Sequence, residues 1–590
     1  MSQNRRQFLA NTGKWVTGAA GIGSMGWNIV PNHAAGEPST RDSGTLNIPH
    51  QSTSSLGEEL RADLVIIGGG TGGCAAALSA LKQGLTVIMT EPTDWIGGQL
   101  TSQGVPPDEN PWIEEFGGTE SYQTYRRQVR DYYKQNYPLT PESWENPYLN
   151  PGDGWVSSIC HEPRVSLAVL ENMFAPYLAN QQLILLLEYR PVEAGLRGDE
   201  ITWVDVEQLG TDVRRRLQSP TFIDATETGD LIKLANVEYV VGSEGRDVTG
   251  EPNTPIETNP ANMQAFTLCF VIDHINGENH VIEKPEEYSF WRDYTPELTP
   301  AWPGPLFSFT YTHPGTLEPR TLPFEPESQD GWWAYRQMIN RHNFEQGFFR
   351  GNLTCMNWPQ NDYLLGNIID EPEEVIQEHL NRSYQQSLSL FYWLQTEAPR
   401  SDGGQGYPGL RIRGDVLGTE HGMAKHPYIR ESRRIKARFT VKEQHVGTEA
   451  RMAETGLSRE DVRATRFEDS VGIGAYRIDL HPSTGLFNYI DISSLPFQIP
   501  LGALIPQRVR NLIPASKNLG TTHITNGCYR LHPVEWNIGE AAGALAAYCK
   551  LRRSEPHQVY ESREETRSFQ RMLTNMGVRL EWPSDKIHAL

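Results

Sequence analysis

Residues 62–91 read ADLVIIGGGTGGCAAALSALKQGLTVIMTE, and this stretch decides the fold. An apolar, β-branched run leads into Gly68-x-Gly70-x-x-Gly73. A helical stretch rich in Ala and Leu follows, and a second apolar run ends in Glu91. The glycine pattern is weak by itself; set between a strand and a helix it is a dinucleotide-binding fingerprint. Gly68 permits the tight turn, Gly70 lets the backbone approach a pyrophosphate, and Gly73 lets the helix pack close to the strand. Free amides at Thr71 and Gly72, with the positive end of the helix, face the phosphates. Glu91 stands 23 residues after Gly68, where a carboxylate bonds both ribose hydroxyls and repels a 2′-phosphate, which argues against NADP. The loop leaves FAD and NAD both open.

Outward from it, the patterns predict a strand over 62–67, a helix over 72–83 and a strand over 86–90. Helices follow at 121–135 and 164–180, and strands at 183–187, 201–205 and 221–224. Residues 252–362 are aromatic and Pro-rich with weak periodicity. A helix is expected at 381–395, a strand or strand–helix element at 428–439, and a strong helix at 534–551. The chain thus divides into a linker at 37–60, a nucleotide domain at 61–250 that returns at 495–552, an inserted domain at 251–494 and a tail at 553–590.

The 590 residues are enough for two or more domains. The net charge of −21 repels phosphate backbones, so a nucleic-acid partner is not expected. Six scattered cysteines contain no C-x-x-C pair, so neither a metal centre, an iron–sulfur cluster nor a disulfide framework is expected. The first 36 residues, with Arg5-Arg6 ahead of Phe8-Leu9 and a mild Gly/Ala-rich run, have the form of a twin-arginine export signal, with processing near Ala34-Ala35. Lys14 interrupts that run, which is too short and mild for a membrane span. A periplasmic or otherwise exported protein is expected, without a membrane span in its mature chain.

Several further stretches carry a family resemblance. They are Glu91 through Gly97-Gly98-Gln99; Cys160-His161-Glu162-Pro163-Arg164; Phe222-Ile223-Asp224-Ala225-Thr226-Glu227-Thr228-Gly229-Asp230; Asn357-Trp358-Pro359 with Asn361-Asp362-Tyr363; and Tyr428 through Ile435. Ser470-Val471-Gly472, Asp479 through Pro482, Asn511 through Asn518, and Arg530-Leu531-His532-Pro533-Val534-Glu535-Trp536 complete the set. Over 61–550 the chain resembles bacterial FAD-dependent oxidoreductases of the glutathione-reductase-like class. It is closest to a subgroup that carries the misnomer xanthan lyase and is distantly grouped with the flavin subunit of heterodisulfide reductase. The resemblance implies an α/β fold: a glutathione-reductase-like FAD-binding Rossmann domain with an inserted α+β substrate domain. It implies FAD, and a helix start near Pro533 set against the flavin ring, where a helix N-terminus steadies the anionic reduced form. The cysteine clusters of the heterodisulfide reductase relatives are missing here, so their iron–sulfur chemistry is not carried over.

The cofactor-binding set expected is Gly68, Gly70, Thr71, Gly72, Gly73, Glu91, Gly98, Gln99, Val192, Asn518 and Val534. A flavin dehydrogenase also needs a base for the proton coupled to hydride loss. The candidates are His532, His523, Arg530 and His161, each balanced against a structural role in a turn. Arg430 and Arg433, three apart, would share a helix face and bind a carboxylate or phosphate, or else form interdomain ion pairs. Arg477, Asp479 and His481 alternate and would form one wall of a substrate site. The aromatic residues of the insert, Trp302 to Trp358, are read first as a core and second as a sugar-stacking surface. The function expected is exported oxidation of an alcohol, sugar or similar small molecule by hydride transfer to flavin N5, with oxygen, a quinone or a carrier protein as acceptor. The alternatives are a flavin-dependent reductase of an unsaturated carboxylate, or a non-catalytic flavoprotein bound to a protein partner.

Overall fold

A computed structural model describes residues 56–583 and 585–590. The twin-arginine segment and the linker up to residue 55 lie outside the described residues. The centre is a five-stranded parallel sheet in the order Leu512–Pro514, Phe222–Asp224, Leu64–Ile67, Val87–Glu91, Leu183–Leu187. Leu64–Ile67 is wholly buried, as a central parallel strand covered on both faces must be. The molecule therefore has a Rossmann-type nucleotide domain, completed by a strand that arrives some 290 residues after its neighbour.

The helix Thr71–Lys82 lies along one face and packs against His532–Arg552. Small residues set that approach. A Cβ on Gly539 would stand 2.0 Å from the carbonyl oxygen of Gly72, and one on Gly543 would stand 2.1 Å from that of Ala76. Pro533 occupies the first turn of the later helix, where its missing N–H costs nothing.

The linker was expected to run to residue 60, but Leu56–Arg61 is already a strand, parallel to Arg214–Gln218. With Glu200–Gln208 and Tyr189–Arg197 it forms a second sheet beside the first. In the insert, Gln337–Ile339, Leu353–Met356, Phe270–His274 and Leu410–Ile412 form a sheet in that order. The helix Glu373–Thr396 shares its aromatic core, where Trp302, Phe307, Phe309, Tyr311, Trp332, Trp333 and Trp358 are buried. These rings pack as a core, although Tyr311 and Trp332 also face a cavity described below and half-exposed Phe348 stands outside the core.

Three expectations are corrected. Residues 428–439 hold only the two-residue strand Arg434–Ile435, paired with Tyr239–Val240. Without a helix, Arg430 and Arg433 share no face. Arg430 pairs with Asp362 at 3.1 Å, and Arg433 with Asp230 and Asp370; carboxylates distant in the chain outcompete local helix geometry. Within residues 553–590, expected as a C-terminal tail, Pro556–Glu561 and Arg563–Asn575 are helices, and Phe569 and Leu573 are fully buried. The strand Ser470–Gly474, assigned to the insert by sequence, pairs with Phe497–Pro500 and packs on His532–Arg552.

Candidate functional site

Two cavities border the nucleotide unit. The smaller is lined by Gly68, Gly70, Glu91, Gly98, Tyr189 and Glu227, among others, and is the cradle expected from the glycine loop. Gly68 holds a left-handed φ of +100°, and a Cβ there would lie 2.4 Å from the carbonyl oxygen of Ala225. A Cβ on Gly73 would lie 2.1 Å from the Gly68 carbonyl oxygen, so this glycine sets the strand-to-helix approach as expected. The Thr71 hydroxyl donates to the Gly97 carbonyl at 2.9 Å and fastens the second loop over the helix start.

Glu91 accepts from the Gly69 amide at 3.1 Å and from the Thr93 amide at 3.0 Å. Burial pushes its carboxyl up to about 8 in spite of those bonds. Around the helix start lies a buried polar cluster. Lys517 pairs with Glu227 and stands 4.0 Å from Glu535. Burial pushes the Glu227 carboxyl up, but the Lys517 ammonium outweighs it and leaves the group below the ordinary carboxylate range. Glu535 is pushed up by burial, and it accepts from the Ser516 hydroxyl and from the Gln99 amide. Gln99 also donates to the Arg530 carbonyl at 2.9 Å, which ties the second loop to the start of the helix His532–Arg552.

The larger cavity, about 510 Å³, is lined by aromatic residues, including Tyr311, Trp332, Tyr335, Tyr476 and Tyr489, and by Arg336, Arg477, Asp479 and His481. The alternating triplet 477, 479 and 481 therefore does face one site. Arg530 joins this wall to the helix start: it donates to Asp479 at 3.2 Å and to the Tyr428 hydroxyl at 3.1 Å. One step on, His532 is fully buried, and its Nδ1 accepts from the Asp108 amide at 3.0 Å. Asp108 pairs with Arg336 of the cavity wall at 3.3 Å. Burial, then Arg336 and Arg530, hold His532 well below the ordinary histidine value.

The remaining expected residues are placed differently. His523 opens the helix His523–Tyr529 and is held by Glu431 at 2.7 Å; it lines neither cavity. His161 is fastened on both nitrogens, to the Ile159 carbonyl at 2.5 Å and the Ser166 hydroxyl at 2.6 Å, and lines neither cavity. Val192 does not line the cradle, although Tyr189, Arg190 and Pro191 do. Asn518 spends its amide on the Asp224 carbonyl and the Ser516 N–H, and Val534 packs near Gly474. Sequence reasoning passed over Glu227, Lys517, Glu535 and Asp362 as individual residues. All four lie inside stretches that carried the resemblance, which was the available signal.

A parallel-sheet nucleotide cradle, closed by a distant helix start and set beside an aromatic, polar cavity, defines a dinucleotide-dependent redox enzyme. The chain belongs to the FAD dependent oxidoreductase family, whose family model matches residues 63–573. FAD is accordingly its cofactor. The residues present fit it: the cradle has glycines where a Cβ would clash, a carboxyl at the end of the second strand, and a buried Gln99 Oε1 and His532 Nε2 without hydrogen-bond partners among the described residues.

A comparison with curated proteins finds no match. Among solved structures, the chain is similar to a quinol fumarate reductase chain from E. coli, at 9% identity and TM-score 0.30, over 88% of this chain and 74% of that one. A geranylgeranyl bacteriochlorophyll reductase-like protein from Thermoplasma acidophilum matches at 9% identity and TM-score 0.31, over 88% and 85%. L-proline dehydrogenase from P. horikoshii matches at 17% identity and TM-score 0.17; the match spans 32% of this chain and only 24% of that enzyme's length.

Proposed function

We propose that this FAD-dependent oxidoreductase is an exported dehydrogenase or oxidase that takes hydride from an alcohol, sugar or similar hydroxylated small molecule. The observation that carries the reading is the wall of the larger cavity. Tyrosine and tryptophan faces suit the C–H faces of such a molecule, and side-chain donors and acceptors beside them suit its hydroxyls. Most charges there are paired, Arg477 with Asp491, Arg336 with Asp108, Asp479 with Arg530 and His481 with Asp362, while Arg320 at the wall makes no ion pair among the described residues. A neutral, hydroxyl-rich substrate matches such a wall better than an ionic one.

FAD, when bound, supplies the hydride acceptor. The chain's own part is to position and to handle protons. His532 accepts at Nδ1 from a backbone N–H, so in its neutral form it presents Nε2–H as a donor. A reductase of unsaturated carboxylates drew its support from the Arg430–Arg433 pair, and those guanidiniums are engaged with Asp362, Asp230 and Asp370. Export rests on Arg5-Arg6 and the mild apolar run after it.

The test is anaerobic addition of glycerol, D-glucose and D-galactose to the purified FAD-loaded protein, following the visible flavin absorption. Bleaching by one of these supports the reading. A protein that none of them bleaches, but that fumarate reoxidises after chemical reduction, would be the reductase instead.

A further inference from the structure

We infer that His481, held by Asp362, is the catalytic base of this enzyme, acting on a hydroxyl of the substrate in the larger cavity. The inference rests on the reading above, that the substrate is an alcohol or sugar.

The geometry is that of an oriented imidazole. Asp362 Oδ2 lies 2.6 Å from His481 Nδ1. The carboxylate's other oxygen accepts from the Thr267 hydroxyl and faces the Arg430 guanidinium at 3.1 Å. Burial acts to raise the Asp362 carboxyl, but Arg430 and His481 together hold it at about 2. It is therefore an acceptor throughout the working pH range. Nδ1 of His481 must carry the proton, and a neutral ring then offers its lone pair at Nε2. The same division of labour, a buried carboxylate that orients a histidine and steadies the imidazolium once formed, recurs in hydrolytic triads.

The ring stands at the cavity wall. His481 lines it, its ring packs edge-on against Tyr489 at 5.5 Å, and Nε2 lies 3.8 Å from Asp479 Oδ2. The groups facing the imidazole are thus Asp362, Asp479 and Tyr489, with Arg430 and Arg530 behind the two carboxylates. The backbone N–H of His481 is anchored on Gln264 Oε1 at 3.2 Å. The other histidine candidates do not offer this. His532 has its lone pair turned to the Asp108 amide, His161 is bonded on both nitrogens, and His523 lines neither cavity. Among the described residues that line the larger cavity, His481 is the histidine.

The step balances. The substrate O–H and the carbinol C–H break and the C=O bond forms. The hydroxyl proton goes to His481 Nε2, and FAD, when bound, would supply the acceptor for the hydride and its electron pair.

Two measurements on the FAD-loaded protein test this. In the first, His481→Gln is compared with wild type in flavin bleaching by glycerol, D-glucose and D-galactose across pH. We expect the rate to fall roughly 10²- to 10⁴-fold, the span of general-base catalysis, with loss of the acidic limb of the pH profile and an unchanged flavin spectrum. An equally fast variant with the same pH profile overturns the assignment. In the second, diethylpyrocarbonate is applied and modified histidines are mapped by mass spectrometry. His481 should react, and Asp362→Asn should change the pH dependence of that reaction. His481 left unmodified while exposed histidines react also overturns it. A wild-type protein that no alcohol or sugar bleaches sinks the substrate reading, and the modification map then still decides whether His481 presents a free lone pair.

Discussion

The backbone N–H of Asp108 donates to Nδ1 of His532 at 3.0 Å, so the one proton of the neutral imidazole sits on Nε2. The histidine at the head of the helix His532–Arg552 is thereby a donor, and protonating it would place an N–H against an N–H. His161, bonded on both nitrogens inside the protein, is lowered by burial to about 4.

Both histidines make the fold sensitive to acid. A histidine with a depressed folded value gives stability that is present above the unfolded value near 6.5 and is lost as pH falls toward the folded one. For His161 the window is about pH 6.5 to 4, worth about 3 kcal/mol across it. Urea denaturation at pH 7 and at pH 4.5 should show this loss, and His161→Gln should reduce the difference. An unchanged difference would place the acid sensitivity elsewhere.

Glu91 carries the opposite sign. Its folded value of about 8 lies above the unfolded one, so its contribution is complete below about pH 4.5 and fades as pH rises to 8. In FAD-free protein, Glu91→Gln should match wild type near pH 5 and be the more stable of the two at pH 9. Thermal melts at the two values check it; a variant weaker at both would mean that the carboxylate is the favoured form.

The cradle is tight at two glycines, against backbone at Gly68 and against the Glu227 carboxyl at Gly70. Gly68→Ala forces a left-handed residue against the Ala225 carbonyl, and Gly70→Val sets branched carbon 2.9 Å from the Glu227 carboxyl, where the backbone lines the cavity. Both variants should purify without flavin colour. Normal flavin content in Gly70→Val would mean that the loop does not approach the cofactor.

The helix seam is a matter of packing alone. Gly543→Ala meets the Ala76 carbonyl oxygen at 2.1 Å and should cost about 1–3 kcal/mol by overpacking. The readout is a lower urea midpoint, with flavin retained by the fraction that stays folded.

For export, replacing Arg5 and Arg6 by Lys should keep the precursor in the cytoplasm. Unaffected secretion would rule out the twin-arginine route.

The nucleotide unit was legible because its signals are local. A buried β-branched strand, a glycine-spaced turn and an Ala-rich helix stand next to one another in the chain, and the later helix declared itself by period. What stayed hidden depends on partners far apart. Asp362 and His481 are 119 residues apart, and nothing in either neighbourhood announces the other. Arg430 was read with Arg433 as one face of a helix, yet Arg430 and its neighbour Arg434 are each enclosed because carboxylates at 362, 244 and 431 converge on them. The insert's strands of two to five residues are too short to show a period. The final 38 residues read as polar, and their few buried side chains, such as Phe569 and Leu573, are too sparse to betray a packed pair of helices.

The contact of Gly72 with Gly539 also sets a timetable. The two residues that bring the nucleotide helix and its partner together are separated by most of the polypeptide, and the sheet's edge strand Leu512–Pro514 is nearly as late. As the chain is synthesised, the pocket's first half waits, unfinished, for its last. Long-range closure of this kind is slow and exposes apolar surface while it is pending. The cradle is therefore complete only once residues 512–543 have been made and have folded back onto the nucleotide helix, an order of events that suits the export of folded cargo proposed above.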